Sequence, residues 1–136
     1  MADTIQRVES YSLEIPDQPG QAYRILSWLE EAGVNLIFFT AYPIGDGKAK
    51  LDLVVEDPVA LAKVARAHGL PAFTPTAAFM VSGRDGVGRA AKVLCHLADA
   101  RVNVHAATGT VQSGNFGLIL WVRSADLEAA ARALRL

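Results

Sequence analysis

The sequence predicts an α+β protein made of two tandem copies of one β-α-β-β-α-β unit. Three observations carry this prediction. Shifted by 68 positions, Leu13–Leu36 falls on Val81–Val104 with eight identities in 24 ungapped positions. They include Asp17/Asp85, Gly20/Gly88, Leu26/Leu94, Leu29/Leu97 and Asn35/Asn103, and a self-match of this kind is the signature of a duplication. Within each copy, β-branched and aromatic runs alternate with apolar residues at helical spacing. Turn residues punctuate the boundaries.

The elements follow in order. Arg7–Ile15 alternates as a strand, and Pro16-Asp-Gln-Pro-Gly20 stops it. Ala22, Ile25, Leu26, Leu29 and Ala32 then recur at helical spacing, with Gly33 placed to end the helix. Val34–Tyr42 reads as a second strand, Gly45-Asp46-Gly47 as a hairpin turn and Leu51–Val55 as the returning strand. Asp57 is a helix cap, with Pro58 at the first helical position and Gly69 at the far end. Leu70–Thr74 makes a fourth strand. The second copy gives strand Ala77–Ser82, helix Val87–Ala100, strand Val102–Val111, turn Gln112–Asn115, strand Phe116–Arg123 and helix Ala125–Leu134. No residues then remain for its last strand. The order implies two ferredoxin-like plaits, antiparallel sheets with helices on one face, in domains 1–75 and 76–136. The missing strand leaves a sheet edge open to another segment or subunit, which predicts a homodimer.

Composition narrows the function. Of the 136 residues, 51% are apolar and 20% charged, which is globular, and the net charge of −1 offers nothing to nucleic acid or anionic lipid. Cys95 is the single cysteine. It lies in an apolar helical stretch and reads as a small buried hydrophobe, so disulfides and thiolate metal sites are excluded. A signal-peptide pattern and a membrane-length apolar run are both absent, so the expected setting is cytoplasmic.

The chemistry gathers at two places in each copy. Asp17-Gln-Pro-Gly20 and Asp85-Gly-Val-Gly88 run from a strand directly into a helix. Unpaired N–H groups and partial positive charge at a helix start attract carboxylates, and glycine lets a ligand approach the backbone. After the same helix, Val34-Asn35-Leu36 and Val102-Asn103-Val104 open the second strand. An amide side chain there offers a donor and an acceptor, which suits a zwitterionic amino acid.

The pattern Asp-x-Pro-Gly-x-Ala-x-x-Ile-Leu-x-x-Leu-x-x-x-Gly-Val-Asn-Leu, Asp17 to Leu36, resembles the ACT domain, the small regulatory domain of amino-acid metabolism. Asp85 to Val104 is similar, and with the trailing hairpins the resemblance spans nearly the whole chain. It implies an amino-acid-binding, allosteric regulatory protein with its ligand between paired domains. The implied contacts are Asp17, Pro19, Gly20, Asn35 and Leu36, with Asp85, Gly88, Asn103, Val104 and His105 in the second copy. Val87 replaces the loop proline and His105 stands where copy one has Ile37, so the two sites are not equivalent.

Simpler readings stand beside these. Asp17 and Asp85 could form Asx turns or cap the helices, and Asn35 and Asn103 could pair with backbone. His105 on a strand reads as packed or solvent-facing. His68 beside Gly69 complements a helix end, His96 has no metal-ligand pattern, and Trp28 and Trp121 read as core or interface residues. Gly83-Arg-Asp-Gly86-Val-Gly88 departs from nucleotide-binding spacing. Phe116-Gly-Leu-Ile-Leu-Trp121 lacks the basic residue of an RNA platform, and copy one has Leu51-Asp52-Leu53 there. Nothing calls for a cofactor or metal. No nucleophile–base pair or carboxylate dyad recurs, so an enzyme is the weakest class. Two functions remain: an amino-acid sensor, or a regulatory subunit controlling a separate biosynthetic enzyme.

Overall fold

A computed structural model describes residues 3–136. Its strands are β1 (Thr4–Pro16), β2 (Leu36–Gly45), β3 (Lys48–Val55), β4 (Thr74–Arg84), β5 (Val104–Gln112) and β6 (Asn115–Val122). Its helices are α1 (Gln21–Glu31), α2 (Pro58–Ala67), α3 (Arg89–Asp99) and α4 (Leu127–Ala133). These elements form two compact units, Glu9–Thr76 and residues 3–8 with Ala77–Leu136. We call them the first and second unit.

In the first unit the sheet runs β2-β3-β1, antiparallel throughout. Alternation sends Leu13, Ile15, Leu51, Leu53 and Val55 to one face, where they meet Ile25 and Leu29 of α1 and Leu61 and Val64 of α2. Both helices therefore cover the same face. Leu51 and Leu53 have no exposed surface, and truncating either to alanine costs about 2–5 kcal/mol. Asp57 caps α2, its Oδ1 accepting from the Val59 and Ala60 N–H groups at 3.1 and 3.2 Å. At the other end of α1, Gly33 takes φ +72° and the Val34 N–H returns to the Leu29 carbonyl at 2.9 Å. This left-handed exit satisfies the final carbonyls.

The β2–β3 hairpin turns through Asp46 and Gly47, both at positive φ, the geometry that matches strand twist. Pro43 pairs with Ala49 and Gly45 with Lys48, so Ile44 is an extra residue, a bulge. The second unit has no bulge there: Val111 pairs with Phe116 and Gln112 with Asn115. Its hairpin turns through Ser113 and Gly114, again both at positive φ. The bulge shifts the correspondence from 68 residues before the turn to 67 after it (Leu51 with Leu118, Leu53 with Leu120).

The second unit orders its strands β1-β4-β6-β5, the β1 part being Thr4–Val8. Phe79, Val81, Phe116, Leu118, Leu120 and Val122 face Val93 and Leu97 of α3 and Ala130 and Leu134 of α4. Here the expectation of a missing last strand is corrected. The start of the chain supplies it: Ile5 packs on this core and Arg7 pairs with Glu128 at 3.1 Å. A sequence-local reading could not see this, because the partner strand lies at the opposite end of the chain. The expected strand Leu70–Thr74 is likewise displaced. Residues 70–73 are irregular and β4 begins at Thr74; Pro71 has no N–H to give a ladder. Cys95 is exposed rather than buried. The inner face of α3 is set by Val93 and Leu97, four apart, and Cys95 falls midway between them on the outside.

Candidate functional site

In the first unit β1 ends at Pro16, and the Asp17 N–H donates to the Gly47 carbonyl at 2.9 Å, tying the loop to the hairpin. Gly20 opens α1 at φ +85°, and no side chain caps the helix. Asp17 is therefore not an N-cap. A cleft of about 160 Å³ lies beside this bare helix start, lined among others by Ile15, Asp17, Gln18, Gln21, Tyr42 and Pro43. Space around Gly20 is open, with nothing within 4 Å of a Cβ placed there. Its positive φ, rather than crowding, is what calls for glycine.

Tyr42, which lines the cleft, also belongs to a polar group on the opposite sheet face, whose other members Lys50 and Asp52 do not line the cleft. The Tyr42 hydroxyl donates to Asp52 Oδ2 at 3.2 Å, and Lys50 Nζ stands 3.9 Å from Asp52 Oδ1. Asp52 is buried on the sheet face away from the helices, 6% exposed. Burial pushes its carboxyl above the usual range, while Lys50 and Tyr42 pull it back. Burial, reinforced by the Asp52 charge and hydrogen bond, raises the Tyr42 phenol and keeps it protonated as a donor at neutral pH.

Asn35 sits at the other end of α1. Its Nδ2 donates to Glu56 Oε1 at 2.9 Å, and its backbone carbonyl accepts from the Glu56 N–H at 3.2 Å. The 11 residues of α1 separate it from Gly20 by about 16 Å along the axis. The first unit thus does not bring Asp17, Pro19 and Gly20 together with Asn35. Leu36 packs against the core, leaving only its backbone for a ligand.

The second unit builds the same loop and fills the space beside it. The Asp85 N–H donates to the Gly114 carbonyl at 3.0 Å, and Gly88 opens α3 at φ +79° with no side-chain cap. Arg89, in the place of Gln21, donates to the Arg84 carbonyl, pairs with Asp3 and lies 5.1 Å over the Phe116 ring. Phe116 holds the position of Ala49. Asn103 is exposed, and Arg123 stands where the first unit has Glu56, so the Asn–Glu bond has no counterpart. Val104 packs on its core. His105 is the bulged residue of β5 and exposed, as Ile37 is in β2.

No family model and no curated protein matches the chain. Solved structures do match in fold. Protein BT0572 from Bacteroides thetaiotaomicron is 17% identical with a TM-score of 0.83, covering 96% of this chain and 88% of that one. The ligand-free regulatory subunit of aspartate kinase from Thermus thermophilus is 18% identical with a TM-score of 0.67, covering 98% and 94%. The aspartokinase alpha and beta subunits give 19% and 0.66, covering 99% and 95%. The fold is ACT-like.

On the ACT-like frame, several residues beside the loop carried no sequence signal. Gln18 and Gln21 are ordinary loop and helix residues, and Tyr42 arrives from the far end of a strand. Asp52 did leave a trace, since it interrupts the apolar run Leu51-Asp52-Leu53. His68 caps α2 and also stacks on Trp28, ring centres 3.9 Å apart, and the Arg24 guanidinium lies 5.3 Å from the centre of the same Trp28 ring. Among the described residues no helix is long and apolar enough to cross a membrane, and no His, Cys, Asp and Glu cluster could hold a metal.

Proposed function

We propose that this chain is an amino-acid-binding regulatory protein of two tandem ACT-like domains. The observation that carries the reading is the open cleft at the uncapped start of α1. The Gln21 N–H is taken by the Gln18 carbonyl at 3.3 Å, but the next N–H groups of the first turn and the helix dipole suit a carboxylate, and the Asp17 carboxylate beside them suits an ammonium group. The likeness in fold to aspartate kinase regulatory subunits supports it. The ligand contacts are Asp17, Pro19, Gly20, Asn35 and Leu36, with Asp85, Gly88, Asn103, Val104 and His105 in the second domain. Because α1 holds its two ends about 16 Å apart, one amino acid touching both kinds of residue takes them from two paired domains. A homodimer supplies such a pair, and Ile37, Phe39, Tyr42 and Ile44, exposed along β2, give it apolar surface. The setting is cytoplasmic and no cofactor takes part.

A second reading makes the chain a regulatory subunit of a separate biosynthetic enzyme. It is favoured by the 94% coverage of a structure described as a regulatory subunit. A thermal-shift screen against the proteinogenic amino acids tests the first reading. A ligand that binds only the folded state raises the melting temperature in a concentration-dependent way. A flat response to all of them at millimolar concentration contradicts amino-acid sensing.

A further inference from the structure

A second cavity, of about 170 Å³, lies in the first unit under the connection from α2 to β4. It exists because that connection does not join the sheet. Gly69 turns the chain at φ +67°, the Leu70 N–H closes back on the Ala65 carbonyl at 2.9 Å, and residues 70–73 bridge across without strand pairing. Tyr11 of β1, Leu61 and Ala65 of α2, and Leu70 and Phe73 of the bridge line the space, and alanines at 62, 65 and 72 leave it unfilled. An apolar cavity of about 150 Å³ stays dry and accepts a benzene-sized guest. One charge stands at this otherwise apolar wall, Arg66. Among the described residues no carboxylate pairs with it; the ion pairs take Arg7, Lys48, Lys50 and Arg89. Arg66 lies in the last turn of α2, where its charge complements the helix dipole, and this leaves all its guanidinium donors unused. The Tyr11 phenol, raised by burial and by Glu9, stays protonated and can donate.

We propose that this cavity binds a small apolar carboxylic acid, aryl or branched, with its tail among Leu61, Ala65, Leu70 and Phe73 and its carboxylate on Arg66. The site is separate from the cleft at α1 and needs no ammonium on its ligand, because no carboxylate lines it. Apolar walls with one or two convergent polar groups are the usual make-up of a small-molecule pocket, and a guanidinium grips a carboxylate through two parallel hydrogen bonds.

Amide NMR titration of the full chain with phenylacetate and with the uncharged phenylacetamide tests it. Both probes should shift the amides of Ala62–Phe73 and Tyr11, with phenylacetate binding about tenfold or more tightly. Arg66→Gln, at an exposed position, should erase that preference while leaving phenylacetamide binding unchanged. Ala62→Leu, also exposed on α2, should weaken both by filling the space. The proposal is overturned if neither probe moves these amides at about 10 mM, if the shifts fall on Asp17–Gln21 instead, or if Arg66→Gln keeps the preference.

Discussion

Arg89 holds its guanidinium 5.1 Å from the centre of the Phe116 ring, in the position that Gln21 and Ala49 leave open beside α1. The two units share the loop, the left-handed glycine and the hydrogen bond from loop to hairpin. They differ in what occupies the space beside the helix start. In the second unit a side chain of the protein takes the place available to a ligand in the first. The Arg89 side chain is 18% exposed and also pairs with Asp3, so it is an integral part of the packing.

The plug should therefore stabilise the protein. Arg89→Gln is expected to lower the unfolding free energy by about 1–2 kcal/mol, from the lost ring contact and the partly buried ion pair. Urea titration measures this. A midpoint equal to the parent's would show that Arg89 adds nothing.

Helix ends supply a second prediction. Arg101 takes φ +59° where the first unit has Gly33 at φ +72°, and the closing bonds are alike: Val102 N–H to the Leu97 carbonyl and Val34 N–H to the Leu29 carbonyl, each 2.9 Å. A side chain in the left-handed region is strained. Arg101→Gly should raise stability by about 0.5–1 kcal/mol, and Gly33→Ala should lower it by about 1 kcal/mol. Thermal unfolding of the two variants should move in opposite directions.

Asp57 caps α2 through the Val59 and Ala60 N–H groups. Asp57→Ala should cost about 1 kcal/mol, while Asp17→Ala, which uncaps nothing, should leave stability within about 0.5 kcal/mol of the parent. Denaturant curves separate the two aspartates.

Asp52 sets a pH dependence. Burial raises its folded-state pKa above the unfolded value, so its contribution is fully present below the unfolded pKa and is lost as pH rises through the folded one. Relative to Asp52→Asn, the parent should therefore gain stability as pH falls from neutral towards about 4. Urea midpoints of both proteins at two pH values read this directly. A difference that stays constant, or reverses, would show that Lys50 and Tyr42 fully offset the burial.

Much of the fold could be read from the sequence because its cues are local. The 3.6-residue spacing of Ile25 and Leu29, the Asp57-Pro58 start and the Asp46-Gly47 turn each fix a conformation within a few residues. What escaped depends on contacts distant in sequence. The final strand of the second unit comes from Thr4–Val8, some seventy residues before β4. The Arg89 plug needs Asp3 and Phe116 from either end of the unit. Cys95 was misread because the stretch around it is apolar overall, whereas burial follows the i, i+4 stripe of Val93 and Leu97. At the cleft, the loop Asp17–Gly20 was legible from its glycine and its place before a helix. Tyr42 was not, because the hairpin register, not a local signal, sets which residues of β2 lie beside the loop.

Calorimetry on Gln21→Arg decides whether an amino acid binds beside the start of α1. The titrant is the amino acid that gives the largest thermal shift. Placing arginine in the first unit's cleft copies the second unit's plug and should weaken binding about ten- to a hundredfold, as should Asn35→Leu, which leaves a polar ligand group unpaired at a cost of about 1–3 kcal/mol. Asn103→Leu should have the smaller effect, because the cleft beside α3 is already filled. If Gln21→Arg and Asn35→Leu, both folded, bind that amino acid as tightly as the parent, the ligand lies elsewhere and the account of the cleft is wrong.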